Sequence, residues 1–313
     1  MSSVMRSAIL KAARSTAAQR LIVAAPGTRS IVKRFVAGEH PDDAVVAARA
    51  LIEAGLRVSV DHLGEDTLDR AGAIAMRDSC LEVIAALHRA GLTARGAEIS
   101  VKLSALGQAL GRDGNKFALE HAREICAAAD AAGTTITVDM EDHTTTDATL
   151  STVRELRADF PRVGAVLQAY LHRTEGDCAE LSGPGSRVRL CKGAYQEPAS
   201  AAYQDPDEVD RSYVRCLRIL MSGQGHPMVA THDPRLIGIA ADLAARADRG
   251  PEEFEYQMLH GVRPDEQVRL AGTGATVRVY VPFGAQWYGY LMRRLAERPA
   301  NVAFFARAVL TRS

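Results

Sequence analysis

The sequence lacks two features that would each place the chain in a different class of protein. It carries no net charge at pH 7, which argues against a surface that is basic overall and built for nucleic acid. No uninterrupted apolar run approaches the roughly 20 residues that a membrane-spanning helix needs. Hydrophobic residues make up 47% and charged residues 24%, so we expect a globular fold rather than disorder. We predict a cytoplasmic protein, peripheral on the inner face of a membrane at most.

Cysteine is sparse, and its spacing excludes the usual cysteine-built sites. The five cysteines are scattered and odd in number, and they form no C-x-x-C pair: Cys80, Cys126, Cys178, Cys191 and Cys216. This pattern argues against a disulfide scaffold and against a structural zinc site. We therefore expect buried, reduced thiols and no metal.

The N-terminal segment has no acidic residue before Glu39 but many basic ones. Apolar residues from Ile9 to Leu21 fall near helical spacing, so the segment reads as a basic amphipathic helix. Three interpretations stay open: a transit peptide that is cleaved, a helix lying on anionic lipid, and a helical arm packed against the domain. We predict a division into this arm, residues 1–40, and one catalytic domain, residues 41–313.

From residue 41 onward, short β-rich runs alternate with longer runs of helical periodicity. The predicted strands are 57–63, 98–103, 134–140, 164–171, 187–194, 227–232, 253–259 and 276–282. The predicted helices between them include 67–90, 116–132, 146–158, 206–222 and 234–247. Several strands are near-continuous apolar runs, which is typical of parallel strands covered on both faces.

The sequence also lacks the glycine-rich phosphate loop that an open, doubly wound sheet would carry after an early strand. Gly183-Pro-Gly185 precedes a predicted strand, and Gly272-Thr-Gly274 follows a predicted helix. A closed (β/α)8 barrel of about 250 residues fits the length that remains after the arm. We therefore predict an α/β fold, a (β/α)8 TIM-type barrel.

Polar residues collect where the predicted strands end, which is where such barrels place their active sites. They include Asp61, Lys102, Asp139, Gln168, Arg189, Lys192, Thr231, His232, Gln257 and Tyr280. Burying a lone lysine or arginine costs several kcal/mol unless the charge is paired. Four charged residues are therefore expected to converge on one cavity: Lys102, Asp139, Arg189 and Lys192. This group is net cationic and suits an anionic ligand.

Two adjacent arginines, Arg293 and Arg294, follow the last predicted strand. Neighbouring residues on a helix diverge by about 100°, so both reach one ligand only if the helix crosses above a pocket. A guanidinium matches a carboxylate with two parallel hydrogen bonds. From spacing alone, the pair is either such a carboxylate site or a solvated basic face on which Glu297 pairs with Arg293.

In order and spacing, these motifs resemble those of the proline dehydrogenase family over about residues 38–312. The resembling segments are VDHLGE (60–65), VKLSALG (101–107), VDMED (138–142), LQAYL (167–171), RLCKGAY (189–195), ATHDP (230–234), YQMLHG (256–261), RVYVPFG (278–284) and YLMRRLAE (290–297). The resemblance implies a barrel with a final helix lying over the strand C-termini. It also implies non-covalently bound FAD, with proline stacked on the flavin.

The resemblance assigns roles to individual residues. It implies that Arg293, Arg294 and Lys102 bind the proline carboxylate, and that Tyr280 and Tyr290 wall the substrate pocket. The residues implied in catalysis are Asp139, Arg189 and Tyr280. The implied flavin contacts are Met140, Gln168, Arg189, Lys192, Gly193, Ala194, Thr231 and His232. Glu65 resembles an acidic gate residue that pairs with an arginine of the last helix.

The implied reaction is oxidation of L-proline to Δ1-pyrroline-5-carboxylate, the first step of proline catabolism, by hydride transfer from C5 to FAD N5. The reduced flavin would pass its electrons to a quinone-type acceptor, and a separate pyrroline-5-carboxylate dehydrogenase would take the product onward. No nucleic-acid partner is expected. Three alternatives stay open: a 4-hydroxyproline dehydrogenase, a barrel that binds flavin or an amino acid without turnover, and an aldolase that uses Lys192 as a Schiff base.

Overall fold

The computed structural model describes residues 28–297, so residues 1–27 of the predicted arm lie outside the described part. The strands are β1 (Arg57–His62), β2 (Ala97–Val101), β3 (Ile136–Val138), β4 (Gly164–Gln168), β5 (Arg187–Cys191), β6 (His226–Ala230), β7 (Glu255–Leu259) and β8 (Val277–Phe283). The helices of this part are α1 (Thr28–Phe35), α2 (Pro41–Glu53), α3 (Arg70–Arg89), α4 (Gly114–Ala131), α5 (Thr146–Asp159), α6 (Thr174–Glu180), α7 (Pro206–Ser222), α8 (Pro234–Arg246), α9 (Pro264–Gly272) and α10 (Trp287–Glu297).

The eight strands are parallel, follow one another in sequence order and close into a barrel. Closure comes from β1, where Ser59 is in register with Glu98 of β2 on one side and with Tyr280 of β8 on the other. The predicted (β/α)8 barrel is confirmed. Each predicted strand is present, with ends that differ by up to three residues.

Proline and glycine mark the ends of several helices. Pro41 and Pro234 occupy the first turns of α2 and α8, where a missing N–H costs nothing. Gly55, Gly91 and Gly133 follow α2, α3 and α4 with positive φ of 82°, 71° and 71°, the left-handed conformation in which glycine ends a helix.

The two faces of the strands differ in chemistry. Outward-facing residues such as Val58, Val60 and Ile99 are buried against the surrounding helices and form the main hydrophobic core. The alternating inward positions are largely polar: Ser59, Asp61, Glu98, Ser100, Thr137, Asp139, Arg187, Arg189, Glu255, Gln257, Arg278 and Tyr280. Barrels of this class are more often filled by branched aliphatic side chains, so this interior is unusually polar.

Ion pairs across the barrel satisfy the buried charges at its N-terminal end. Arg187 of β5 pairs with Glu98 of β2 at 2.7 Å, although these strands are not neighbours. Arg278 pairs with Glu255 at 2.7 Å and lies 3.6 Å from Glu98. Removing one member of these ion pairs would leave a buried charge unpaired. The pairs therefore hold the strands together beneath the mouth of the barrel, the end at which the strand C-termini lie.

The last described helix lies over the C-terminal ends of the strands, as predicted. Residues of α10 pack with Leu63, which directly follows β1, and with Phe35 and Val36 at the end of α1. Ala37 N donates to Pro282 O at 2.9 Å, and Arg34 Nε donates to Gly261 O at 3.2 Å. The described end of the predicted arm therefore docks on the barrel beside α10.

The five cysteines are free thiols, four buried and Cys191 half-buried. Within residues 28–297, every helix is too short or too polar to cross a bilayer.

Candidate active site

Lys102, the first residue after β2, turns its side chain toward the end of β1. Its Nζ donates to both carboxylate oxygens of Asp61, each at 2.8 Å. Asp61 is 1% exposed, so this is a buried ion pair. Burial lowers the pKa of Lys102, but neighbouring carboxylates, with Asp61 foremost, raise it above the ordinary value. Lys102 is therefore a permanent cation with a fixed position at the mouth of the barrel.

Tyr280 of β8 and Arg189 of β5 meet at Asp139, the first residue after β3. The Tyr280 hydroxyl donates to Asp139 Oδ2 at 2.7 Å, and a guanidinium N–H of Arg189 donates to Oδ1. The same hydroxyl lies 3.4 Å from Lys102 Nζ. Burial, reinforced by Asp139, raises the pKa of Tyr280 well above its ordinary value, so the phenol stays protonated. Four residues identified from the sequence thus form one network.

Arg189 is supported from below by Gln257, which the sequence places among the polar residues at the strand ends, and by Glu255 and Ser100, which no motif singled out. Its Nε donates to Gln257 Oε1, and Gln257 Nε2 donates to Glu255. A second guanidinium nitrogen, Nη2, lies 3.1 Å from Ser100 Oγ. Gln257 and Glu255 are two positions apart on β7 and share its inward face, so the period of two along a strand is the signal that could have found Glu255.

Lys192 does not join this network. Its ammonium pairs with the carboxylate of Asp210 on α7 and lies 3.7 Å from Asp233 Oδ2. The expectation that Lys192 shares the cavity of the other charged residues is therefore wrong. Side chains alternate along β5, and Lys192 lies three positions after the inward-facing Arg189, so it turns to the outer side of the barrel. Asp61 takes its place. Two cations face two carboxylates, and the network within the described residues is neutral where a net positive charge was expected.

The last described helix, α10, brings further predicted residues to the mouth of the barrel. Tyr290 and Arg294, four positions apart, are 6% and 9% exposed, and the guanidinium carbon lies 5.0 Å from the ring centroid. This is cation–π geometry. Arg293 belongs to the same helix, but its side chain lies outside the described part of the structure. Glu65 follows β1 by three residues, and its carboxylate contributes to the raised pKa of Lys102, which places this predicted gate residue beside the site.

The predicted flavin contacts line the ends of consecutive strands, from β3 to β6: Met140, Gln168, Lys192, Gly193, Ala194, Thr231 and His232. Gly193 has φ +117°, and a Cβ there would lie 2.4 Å from the ring of Tyr170, so only glycine fits. His232 Nε2 accepts the backbone N–H of Leu259 at 2.9 Å. The neutral imidazole therefore carries its proton on Nδ1.

A groove on the outer surface of the barrel lies away from the charged network. It has a volume of about 530 Å³ and runs between α8 and α9 on the outside of the barrel. Its lining comes from helix surfaces, with residues such as Ile237, Ala241 and Leu270. Active sites of such barrels lie at the strand C-termini, so we assign the candidate active site to the charged network.

A sequence profile described as proline dehydrogenase matches residues 44–307. The chain belongs to the proline dehydrogenase family. The proline dehydrogenase of Deinococcus radiodurans is 40% identical over 283 residues, which are 90% of each chain. Proline dehydrogenase 1 of Bacillus subtilis is 36% identical over 284 residues, 91% of this chain and 92% of the relative.

A solved relative supports the same assignment. The structure of proline utilization A from Bdellovibrio bacteriovorus, inactivated by N-propargylglycine, superposes with a TM-score of 0.79 and 25% identity. The match covers 91% of this chain and 34% of that protein, so this chain corresponds to about a third of it. Family membership supports a proline dehydrogenase activity, and the predicted barrel has a solved counterpart.

Proposed function

We propose that this chain oxidises L-proline to Δ1-pyrroline-5-carboxylate with FAD as the hydride acceptor. The observation that carries the proposal is the network of Lys102, Asp61, Asp139, Tyr280 and Arg189 at the strand C-termini. It lies in a chain of the proline dehydrogenase family, beneath a helix that bears two arginines.

The residues present suit a flavin dinucleotide. Lys192 offers a cation for phosphate, held in place by two carboxylates. Gly193 is half-buried and lies against the Tyr170 ring where a Cβ would clash, so only glycine keeps the loop backbone in this shape. Thr231 accepts from Asp233 N at 3.1 Å and so keeps its hydroxyl proton for donation, while His232 carries a proton on Nδ1 when neutral. A phosphate, ribose hydroxyls and ring heteroatoms are the partners for which this donor set is suited.

Bound FAD would supply the electron sink for hydride removed from C5 of proline. Arg293, Arg294 and Lys102 would clamp the carboxylate of the substrate, and Tyr280 and Tyr290 would bound its ring. A clamp of this kind holds the reacting carbon in one place, which can supply several kcal/mol of the barrier. Lys102 serves this role well because Asp61 already orders its ammonium.

Arg189, Asp139 and Tyr280 would set the electrostatics of the reaction. Arg189 places a permanent positive charge at the centre of the mouth, which would favour negative charge on the reduced cofactor. Asp139 holds both Arg189 and Tyr280 by hydrogen bonds. Because the pKa of Tyr280 is raised well above its ordinary value, Tyr280 would act as a neutral donor and wall and not as a base.

We further propose that the electrons leave to a quinone-type acceptor and that residues 1–27 help the protein meet a membrane. The basic, amphipathic composition of that segment supports a helix on anionic lipid. Removing residues 1–27 should lower sedimentation with anionic vesicles while activity with a soluble dye is kept. Equal sedimentation of both forms would contradict the membrane role. The relatives matched over nine-tenths of their length support a separate dehydrogenase for the product.

The direct test is the visible spectrum of the purified protein before and after anaerobic addition of L-proline. We expect a flavin spectrum that bleaches with proline and bleaches less with 4-hydroxyproline. A flavin spectrum that stays oxidised would contradict proline as the substrate. No flavin, even after FAD is added, would contradict the cofactor.

The carboxylate clamp is tested separately with Arg293→Ala and Arg294→Ala. Each should raise KM for proline while flavin stays bound. Arg211→Ala is the matched control, because Arg211 is exposed on α7 and pairs there with Glu208. An unchanged KM in both test variants would remove the clamp from the mechanism.

A further inference from the structure

Glu197 is a buried carboxylate in the loop that follows β5, and no motif of the sequence drew attention to it. Its side chain is 3% exposed. It accepts from the backbone N–H of His143 at 3.0 Å and from the hydroxyl of Tyr170 at 3.3 Å. Nδ1 of His143 makes a third hydrogen bond to it. His143 follows β3 and Tyr170 follows β4, so one carboxylate joins three consecutive strand ends.

The loop that Glu197 anchors also carries residues 192–194, the predicted contacts for the phosphate and ribose part of FAD. Tyr170 packs beneath this loop. The Tyr170 ring lies against Gly193, and the Tyr170 backbone N–H donates to Lys192 O at 2.9 Å. The Tyr170 hydroxyl hydrogen-bonds to the backbone of Tyr195 as well as to Glu197. The loop is thus fixed at its start, its middle and its end, and Glu197 makes the last attachment.

We propose that Glu197 is a positioning residue that holds residues 192–197 in the shape that binds FAD. The inference rests on the proposed function, because FAD is the ligand. Removing the carboxylate leaves three donors without their acceptor, the backbone N–H and Nδ1 of His143 and the Tyr170 hydroxyl, and releases the end of the loop. Apparent affinity falls in proportion to the fraction of molecules whose loop is correctly formed. A loop formed one-tenth of the time therefore binds FAD about ten times more weakly.

The test compares three variants of the full chain: Glu197→Ala, Glu197→Gln and Glu180→Ala. Glutamine is the conservative replacement, because its oxygen accepts from the His143 N–H and the Tyr170 hydroxyl and its amide donates to Nδ1 of a neutral His143. Glu180 is the surface control, since it is 64% exposed and pairs with Arg154. For each, we would measure the dissociation constant of FAD by following flavin fluorescence as FAD is added to the apoprotein. We would also measure KM for proline at saturating FAD and hydrogen exchange of amides 193–197.

We expect Glu197→Ala to weaken FAD binding at least tenfold, with faster exchange of the loop amides and a KM for proline within about twofold of wild type. Glu197→Gln should restore FAD binding to within about threefold of wild type, and Glu180→Ala should match wild type. FAD binding by Glu197→Ala equal to that of Glu180→Ala would overturn the inference. So would equal losses for alanine and glutamine, because the hydrogen bonds would then not be the cause.

The outcome also separates this inference from the proposed function. A wild-type chain that binds no FAD overturns the proposed function and, with it, the role of Glu197 in cofactor binding. A wild-type chain that binds FAD, with unchanged loop exchange in Glu197→Ala, overturns the positioning role alone.

Discussion

The buried pair of Asp61 and Lys102 yields a prediction that reaches both stability and substrate binding. Asp61→Asn keeps the shape of the side chain but removes its charge and turns an N–H₂ toward the ammonium. Losing one partner of a buried ion pair costs roughly 3–5 kcal/mol. Lys102 retains Asp139, whose Oδ2 lies 3.8 Å from Nζ, and the amide oxygen still accepts one hydrogen bond. We therefore expect Asp61→Asn to lower the free energy of unfolding by about 3 kcal/mol, near the lower end of that range.

Thermal unfolding and steady-state kinetics measure the two consequences. A decrease of about 3 kcal/mol in the free energy of unfolding should lower the melting temperature of a chain of this size by roughly 5–10 °C. A less ordered ammonium should raise KM for proline by about tenfold, with a smaller change in kcat. Asp78→Asn is the matched control, because Asp78 pairs with Arg77 at 2.7 Å but is 56% exposed, and surface pairs contribute about 0–1 kcal/mol. If Asp61→Asn behaves like Asp78→Asn in both assays, the ordering role of Asp61 is refuted.

Three further predictions follow from individual contacts. Gly193→Ala places a Cβ 2.4 Å from Tyr170 at φ +117°, so the purified protein should lose FAD, whereas Gly176→Ala in α6, with open space around it, should retain it; equal flavin content would contradict this. Tyr280→Phe removes the 2.7 Å hydrogen bond to Asp139 and should lower kcat/KM by roughly 10–100-fold with flavin bound, while the half-exposed Tyr203→Phe should not. Burial alone would raise the pKa of Glu255, but Arg278, with help from His226, lowers it well below its ordinary value of 4.5. Its stabilising contribution is therefore present above pH 4.5 and lost as pH falls toward the folded-state pKa, so Glu255→Gln should show a shallower loss of stability below pH 4.5 than wild type. Parallel curves for the two proteins would refute that assignment.

The order of elements could be predicted because each depends on local physics. Apolar runs that suit strands covered on both faces, and prolines and glycines at helix ends, act over a few residues. The ends of the strands were predicted less accurately than their order. The run 164–171 predicts a strand through Leu171, but β4 ends at Gln168, since the following residues turn and Leu171 makes an isolated bridge to Ala202. Tertiary contacts decide such ends.

The candidate site could be predicted in part. Lys102, Asp139, Arg189 and Tyr280 stand out as polar residues at the ends of apolar strands, and the structure brings them together. Lys192 has the same appearance in the sequence, yet it pairs outside the barrel with Asp210. Lys192 lies an odd number of positions after Arg189 and so turns to the opposite face, but which face points inward is set only when the barrel closes.

Periodicity, helix-end residues and motif order are properties of neighbours along the chain, so the barrel, the family and the set of polar residues at the strand ends could be predicted from them. Which of those residues are partners depends on the folded barrel. Asp61 balances Lys102, Gln257 and Glu255 support Arg189, and Glu197 joins three strand ends. Apart from the Gln257–Glu255 bond within β7, each of these contacts links residues from different strands or strand ends. Their energies depend on burial and on distances of a few ångströms, which are set only when the barrel closes.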